Sequence, residues 1–251
     1  MKVISFVNQK GGVAKTTSCV NIGASLVDQG KRVLLIDLDA QGSLSIASSC
    51  GNLTDDDLTT YKVLKGADIN EAIHHGRIDI IPTDIRLSGA EVELSSVMGR
   101  EFLLRESLTA LKGDYDYILI DCPPSLGILT LIALTASDEL IIPVKADFYA
   151  LNGMSQLLDT VNLIKKRLNS NLTISGVIAT FYDGRRNLDQ QVAQKIESTF
   201  PGQLFKTTIS MNTRLAEAPA NGVDIFKYDD TCKGAQQYES LTKEFIEREE
   251  K

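Results

Sequence analysis

Four cysteines, Cys19, Cys50, Cys122 and Cys232, lie far apart, and none stands at C-x-x-C spacing. That scatter argues against a disulfide framework and a zinc site, and fits reduced thiols in a cytoplasmic protein. Histidine is scarcer: His74 and His75 adjoin Gly76 in a loop-like stretch, and two neighbouring imidazoles alone do not make a metal site. No apolar run approaches the roughly 20 residues of a membrane helix. The first residues already have a strand pattern, so no signal peptide is expected. There is no excess of positive charge either. A formal net charge of −7 excludes a surface basic throughout, while leaving room for a local basic face. Linkers, repeats and low-complexity tracts are missing too. With 251 residues, 43% of them hydrophobic, the chain can bury a large core, and one domain over 1–251 is expected.

What is present centres on Asn8-Gln9-Lys10-Gly11-Gly12-Val13-Ala14-Lys15-Thr16-Thr17. An apolar run, Val3 to Val7, has strand length, and Cys19, Ile22, Leu26 and Val27 recur at helical spacing before a capping Gly30. Strand, glycine-rich turn and helix form the context of a phosphate-binding loop. Gly11 and Gly12 let successive N–H groups curve around an anion, and the helix start adds its positive dipole end. Lys15 is placed to neutralise β- and γ-phosphates, and the Thr16 hydroxyl to reach Mg²⁺.

Further buried strands are expected at 32–37, 78–82, 115–121, 139–144, 172–181 and 204–209. Amphipathic helices are expected at 149–168, where Leu151, Met154, Leu157, Val161 and Ile164 recur, and after Arg186, where Leu188, Val192, Ile196 and Phe200 form a stripe. A helical pattern over 89–111 is open to a break at Gly99, residues 210–230 read as a loop, and a helix closes the chain from 234 to 249. Alternating strands and helices predict a three-layer α/β fold, a mostly parallel twisted sheet with helices on both faces. Asp121, ending a hydrophobic strand, suits a Walker B carboxylate. Asp37 and Asp39 emerge at the carboxyl edge of the second strand, where ligands of such sheets bind.

The loop departs from Gly-x-x-x-x-Gly-Lys-Ser/Thr, since Gln9 and Ala14 occupy the two glycine positions. It resembles the deviant Walker A, Lys-Gly-Gly-x-x-Lys-Thr, of the ParA/MinD family of P-loop ATPases. Most members carry Gly at Ala14, where a methyl suits a negative φ. Asp37-Leu38-Asp39-Ala40-Gln41-Gly42 is similar to the family switch Asp-x-Asp-Pro-Gln-Gly, with Ala40 in place of Pro. Asp121-Cys122-Pro123-Pro124 matches Asp-x-Pro-Pro. Residues 143–153, Tyr182-Asp183-Gly184-Arg185 and Asn212 to Pro219 resemble the ParA/Soj partition branch, with Met211 where an Arg is common.

The resemblance implies bound ATP and Mg²⁺. It places Lys10, Gly11, Gly12, Val13, Ala14, Lys15, Thr16, Thr17, Met211 and Asn212 on the nucleotide. The metal falls to Thr16, Asp37 and Asp121, and catalysis to Lys10, Lys15 and Asp39, with Asp39 acting on the hydrolytic water. Lys10 would cross to the partner's nucleotide in an ATP-bound homodimer. Arg185 and Arg214 fall on positions that contact double-stranded DNA without sequence preference, and a ParB-like centromere-binding partner would stimulate hydrolysis. The acidic ending argues against membrane attachment, and the P-loop strand at the start leaves no room for a preceding helix-turn-helix. The location implied is the cytoplasm, on the nucleoid. Alternatives are a same-fold ATPase that positions a protein cargo and a synthetase of the dethiobiotin type.

Overall fold

The computed structural model describes residues 1–147 and 153–250. Its strands are β1 (Lys2–Phe6), β2 (Val33–Asp37), β3 (Asp79–Ile81), β4 (Tyr117–Asp121), β5 (Glu139–Lys145) and β6 (Thr173–Thr180). They form one parallel sheet in the order β3-β2-β4-β1-β5-β6. The helices are α1 (Lys15–Asp28), α2 (Ser43–Ala47), α3 (Thr60–Leu64), α4 (Leu87–Glu93), α5 (Leu103–Thr109) and α6 (Ile128–Ala136). They continue with α7 (Met154–Arg167), α8 (Asn187–Thr199), α9 (Thr213–Ala220), α10 (Ile225–Asp229) and α11 (Lys233–Glu249).

Strands buried on both faces need no polar alternation, which is why β1, β2 and β4 are near-continuous runs of Ile, Leu and Val. Successive side chains feed two separate cores. Val3, Leu34, Ile36, Ile118, Ile120 and Ile142 pack under α3 to α8. Ile4, Phe6, Leu35, Leu119, Ile141 and Ile178 pack under α1, α2 and α9 to α11. On the second face α11 lies against α1, where the Tyr238 hydroxyl meets Ser18 Oγ at 3.1 Å. Gly30 takes φ 79° just past α1, in the left-handed turn expected of a glycine after a helix.

Several expectations are corrected. The stretch 204–209 is not a strand: it touches β6 only through single bridges, Val177 to Leu204 and Thr180 to Ile209. Residues 210–230 hold two helices, α9 and α10, with Asn212 and Asp224 as side-chain N-caps. Leu188 lies on α8 but points outward, 44% exposed, whereas Val192, Ile196 and Phe200 are buried. The 89–111 pattern does break at Gly99, whose φ is 72°. Residues 148–152, which include Leu151 and the middle of the motif at 143–153, lie outside the described residues.

The stretch packs on β6 through one ring. β6 shifts register against β5 between Leu140 and Ile141, so that Ile141 faces Gly176. A methyl on Gly176 would overlap the Phe205 ring, which is buried and covered by the Arg248 guanidinium 4.2 Å from its centroid. Phe205 thus fills the space over Gly176 that a side chain there would need. Gly176→Ala is expected to lower stability by about 1–3 kcal/mol, read from urea unfolding. Combined with Phe205→Leu it should cost less than the sum of the two single changes; additive losses would show that the ring is not the obstacle.

Candidate functional site

The loop between β1 and α1 faces a cleft of about 410 Å³ at the carboxyl edge of the sheet. Gly11, Gly12, Ala14, Lys15, Thr16 and Thr17 line it on one side and Asp39 on another. Gly12 takes φ 69° with open space around it, a conformation that side chains rarely adopt. Ala14, the N-cap of α1, is also left-handed, at φ 65° and ψ 36°. The expected negative φ is therefore not found, and for a residue with a Cβ this geometry costs roughly 1–2 kcal/mol. Val13 turns inward instead of lining the cleft: its side chain is buried and its carbonyl accepts from Thr180 Oγ1 at 3.1 Å.

Lys15 is only 7% exposed, and its Nζ donates to the Lys10 carbonyl at 3.3 Å. Burial lowers its pKa, against the opposing pull of Asp121, Cys122 and Asp39. Lys10 turns another way. Its Nζ donates to both carboxylate oxygens of Asp147, at 2.8 and 2.6 Å.

β2 and β4 are in register so that Asp37 stands beside Asp121, and both are fully buried. Thr16 Oγ1 donates to Asp121 Oδ2 at 2.5 Å, while Asp121 Oδ1 is buried without a hydrogen-bond partner. Burial and the nearby Asp37 charge raise the Asp121 pKa. Asp37 is better satisfied. Its Oδ2 accepts from Ser45 N at 2.9 Å and Ser45 Oγ at 2.7 Å, and its Oδ1 from Asp39 N at 3.1 Å. Ser45 Oγ in turn accepts from Thr83 N at 2.9 Å. Burial nevertheless pushes the Asp37 pKa up to about 6. Asp39 is half-buried, and its Oδ1 caps a turn by accepting from Gln41 N at 3.0 Å.

This arrangement has the chemistry of a polyanion and divalent-cation site. Backbone N–H groups, a buried ammonium and the start of α1 can hold phosphate. Among the described residues no group of three or more His, Cys, Asp or Glu could hold a metal. A cation here would rely on the Thr16 hydroxyl, Asp37 and Asp121, with ligand oxygens completing its shell.

Other expected residues stand apart. Asn212 lines a small neighbouring pocket with Ala14 and Thr17, its Oδ1 accepting from Arg214 N at 2.9 Å. Met211, 82% exposed, lines a larger groove with Lys145, Arg185, Arg186 and Lys233. Arg185 donates from Nη2 to Asp183 Oδ2 at 2.8 Å, which holds Asp183 well below the usual carboxylate range. Arg214 is not among the residues lining that groove. It sits in the first turn of α9, beside Glu217 at 3.0 Å and Asp229 at 3.5 Å.

The sequence reading missed Ser45, Asp147 and Phe181. Phe181 has φ 54° and lines the cleft together with both neighbouring pockets. Its position directly after β6, on the edge where ligands bind, was the available signal.

The Asp37 carboxyl binds its proton more tightly in the folded protein, at about 6, than at the ordinary 3.8. Its contribution to stability is therefore present below about pH 4 and lost as pH rises through 6, by roughly 2–3 kcal/mol. Relative to Asp37→Asn, the nucleotide-free protein should lose stability across that window, as measured by denaturant unfolding at pH 4, 5, 6 and 7. A constant difference would show that the carboxyl is not perturbed.

Comparison with known proteins agrees with the geometry. The family model described as an AAA domain matches residues 1–174. Sporulation initiation inhibitor protein Soj of Bacillus subtilis is 48% identical over 248 residues, covering 97% of each chain. Chromosome-partitioning ATPase Soj of Treponema pallidum is 44% identical over 252 residues, covering 99% of this chain and 98% of that one. Cobyrinic acid a,c-diamide synthase from Mycobacterium smegmatis, solved with an ATP analogue and magnesium, aligns with TM-score 0.86 at 33% identity. That match covers 100% of this chain and 96% of the other. A parallel sheet with a lysine-bearing loop after β1, two buried aspartates at its edge and near full-length identity to Soj proteins lead to one conclusion: the chain belongs to the Soj/ParA family of chromosome-partitioning ATPases.

Proposed function

We propose that the chain, acting as one ATPase domain, binds ATP·Mg²⁺ in the cleft between α1 and Asp39 and uses slow hydrolysis as a partition switch. The observation that carries this reading is the unsatisfied Asp121 oxygen beside the Thr16 hydroxyl. A buried carboxylate oxygen left without a partner is costly, and a divalent cation in reach of Thr16 would remove that cost. When bound, Mg²⁺ supplies positive charge to the β- and γ-phosphate oxygens.

The protein's own groups do the rest. Lys15 offers a desolvated ammonium to the terminal phosphates, and the loop N–H groups orient them. Ser45 fixes Asp37, and Asp39 is the group within the cleft able to orient water. Lys10, leaving Asp147, would reach a nucleotide held by a second copy, so that ATP promotes a homodimer. Arg185 and Arg214 would meet DNA phosphates without reading bases, and a ParB-like partner would trigger release. The likeness to a cobyrinic acid synthase favours a second reading, a small-molecule synthetase. The higher identity to the two Soj proteins outweighs it.

Lys15→Ala should weaken ATP binding about 10- to 150-fold, the loss of one charge-assisted contact worth roughly 1.5–3 kcal/mol. Lys10→Ala should bind ATP as a monomer yet fail to dimerise, and Asp39→Ala should bind and dimerise without turnover. Calorimetry, sedimentation and phosphate release separate these outcomes. Equal loss of monomer affinity in the Lys10 and Lys15 variants would sink the cross-subunit role.

DNA binding should require ATP and fall with salt. Each phosphate contact adds roughly 0.9 to the log–log slope. Asp183 competes for Arg185, so the slope should stay below the count of basic residues in the groove. Arg185→Glu should abolish binding and spare dimerisation, as read by fluorescence anisotropy. An ATP-bound dimer that ignores duplex DNA even at low salt would transfer support to the synthetase reading.

A further inference from the structure

Behind the nucleotide cleft lies a second cavity of about 280 Å³, between the end of α2, the turn before β3 and the α9–α10 junction. Val20 and Ala47 are common walls, each lining both this cavity and the cleft. The acids around it are already engaged. Asp224 accepts from Arg77 Nη1 at 2.7 Å on both oxygens and also caps α10 through Phe226 N and Lys227 N. Asp79 accepts from the Tyr115 hydroxyl at 2.6 Å and pairs with His75 at 3.1 Å.

What the walls leave over is a set of donors. Lys227 lines the cavity and its ammonium makes no ion pair among the described residues. Ser48 Oγ is buried with no hydrogen-bond partner. His74, whose backbone is fixed by reciprocal bonds to Ile80 at 2.8 and 3.0 Å, also lines the cavity. Cys50 adds no negative charge, because burial raises its thiol pKa. A volume just under the roughly 300–1,000 Å³ of drug-sized sites suits one small ion rather than a nucleotide.

The same short helix touches both chambers. Ser45 of α2 holds Asp37 on the cleft side, and Ser48, one residue past the helix end, faces the cavity. Ser49 follows in a left-handed conformation, φ 62°, and its Oγ donates to the Gly222 carbonyl at 2.5 Å. That bond ties the end of α2 to the α9–α10 junction, while Pro219 at the end of α9 lines the cleft. A non-glycine residue stays in such geometry only where its surroundings enforce it.

We infer that this cavity is a binding site for a small phosphate- or carboxylate-bearing anion, and that its occupancy is coupled through α2 to the nucleotide cleft. The binding claim stands on the cavity alone; the coupling claim rests on the nucleotide reading above.

His74 and His75 are the only histidines in the chain and both line the cavity, so their imidazole proton resonances report it directly. The full-length protein, held at constant pH with excess ADP and Mg²⁺, is titrated separately with inorganic phosphate, malonate and matched NaCl. Both histidine signals should shift saturably with phosphate or malonate and not with NaCl. Saturation by phosphate alone would assign the phosphate class, and by malonate alone the carboxylate class. Lys227→Gln should weaken the response at least tenfold, and Ser48→Ala several-fold. Signals that never saturate, or a response unchanged in Lys227→Gln, would overturn the site. A second arm measures ADP affinity with and without the saturating anion, where a change of threefold or more is expected. Unchanged ADP affinity beside saturable shifts would overturn the coupling. If ADP never binds, the nucleotide reading fails, while the histidine shifts still decide the cavity.

Discussion

Two carboxylates share the centre of this sheet, Asp37 and Asp121, side by side on adjacent strands and both shut off from water. Like charges at that spacing in a poorly solvated place repel, and burial together with the Asp37 charge raises the hold of Asp121 on a proton. The surroundings are built to contain that repulsion. Ser45 spends a hydroxyl and an amide on Asp37, Thr16 a hydroxyl on Asp121, and Lys15 brings a buried positive charge near Asp121. α2 exists largely to deliver Ser45: it is only five residues long and begins directly after the turn that carries Asp39. The P-loop, the switch segment and the end of β4 are thus parts of one electrostatic problem.

Strand order explains why these parts meet. From β1 the chain crosses to β2 and β3 on one flank, and from β4 it crosses to β5 and β6 on the other. Connections that leave in opposite directions open a crevice above the carboxyl ends of β1 and β4, the place where open α/β sheets bind ligands. Lys15 follows β1 and Asp121 ends β4, so topology alone converges them. The two cores keep that edge stiff, since nearly every strand residue is packed from above and below.

Much of this was legible in the residues. The P-loop advertised itself through its glycines and Lys15, and the central strands through near-continuous apolar runs. Asp121 followed from its place at a strand end. What stayed hidden depended on distant partners. A strand pattern at 204–209 could not reveal that the Phe205 ring would seat on Gly176 of β6, a contact that no local motif marks. Pro219, Asn221 and Gly222 suggested a loop, but they gather at the end of α9, where helices tolerate them, and the Asn212 cap that starts it is unmarked without its geometry. Nothing around Ser45 in the sequence marks it as the partner of Asp37 eight residues earlier. The left-handed backbone of Ala14 was out of reach too, because a dihedral angle belongs to the folded loop rather than to the residue.

The position of Lys10 has a consequence for how sharply the edge of the cleft can respond. Its ammonium is already held by two short bonds to a carboxylate of its own chain, neither fully exposed nor fully buried. An acceptor arriving from outside must match that pair before it gains anything. The Lys10 charge is thus a guarded one, neutralised in place by Asp147 until another acceptor outcompetes that carboxylate.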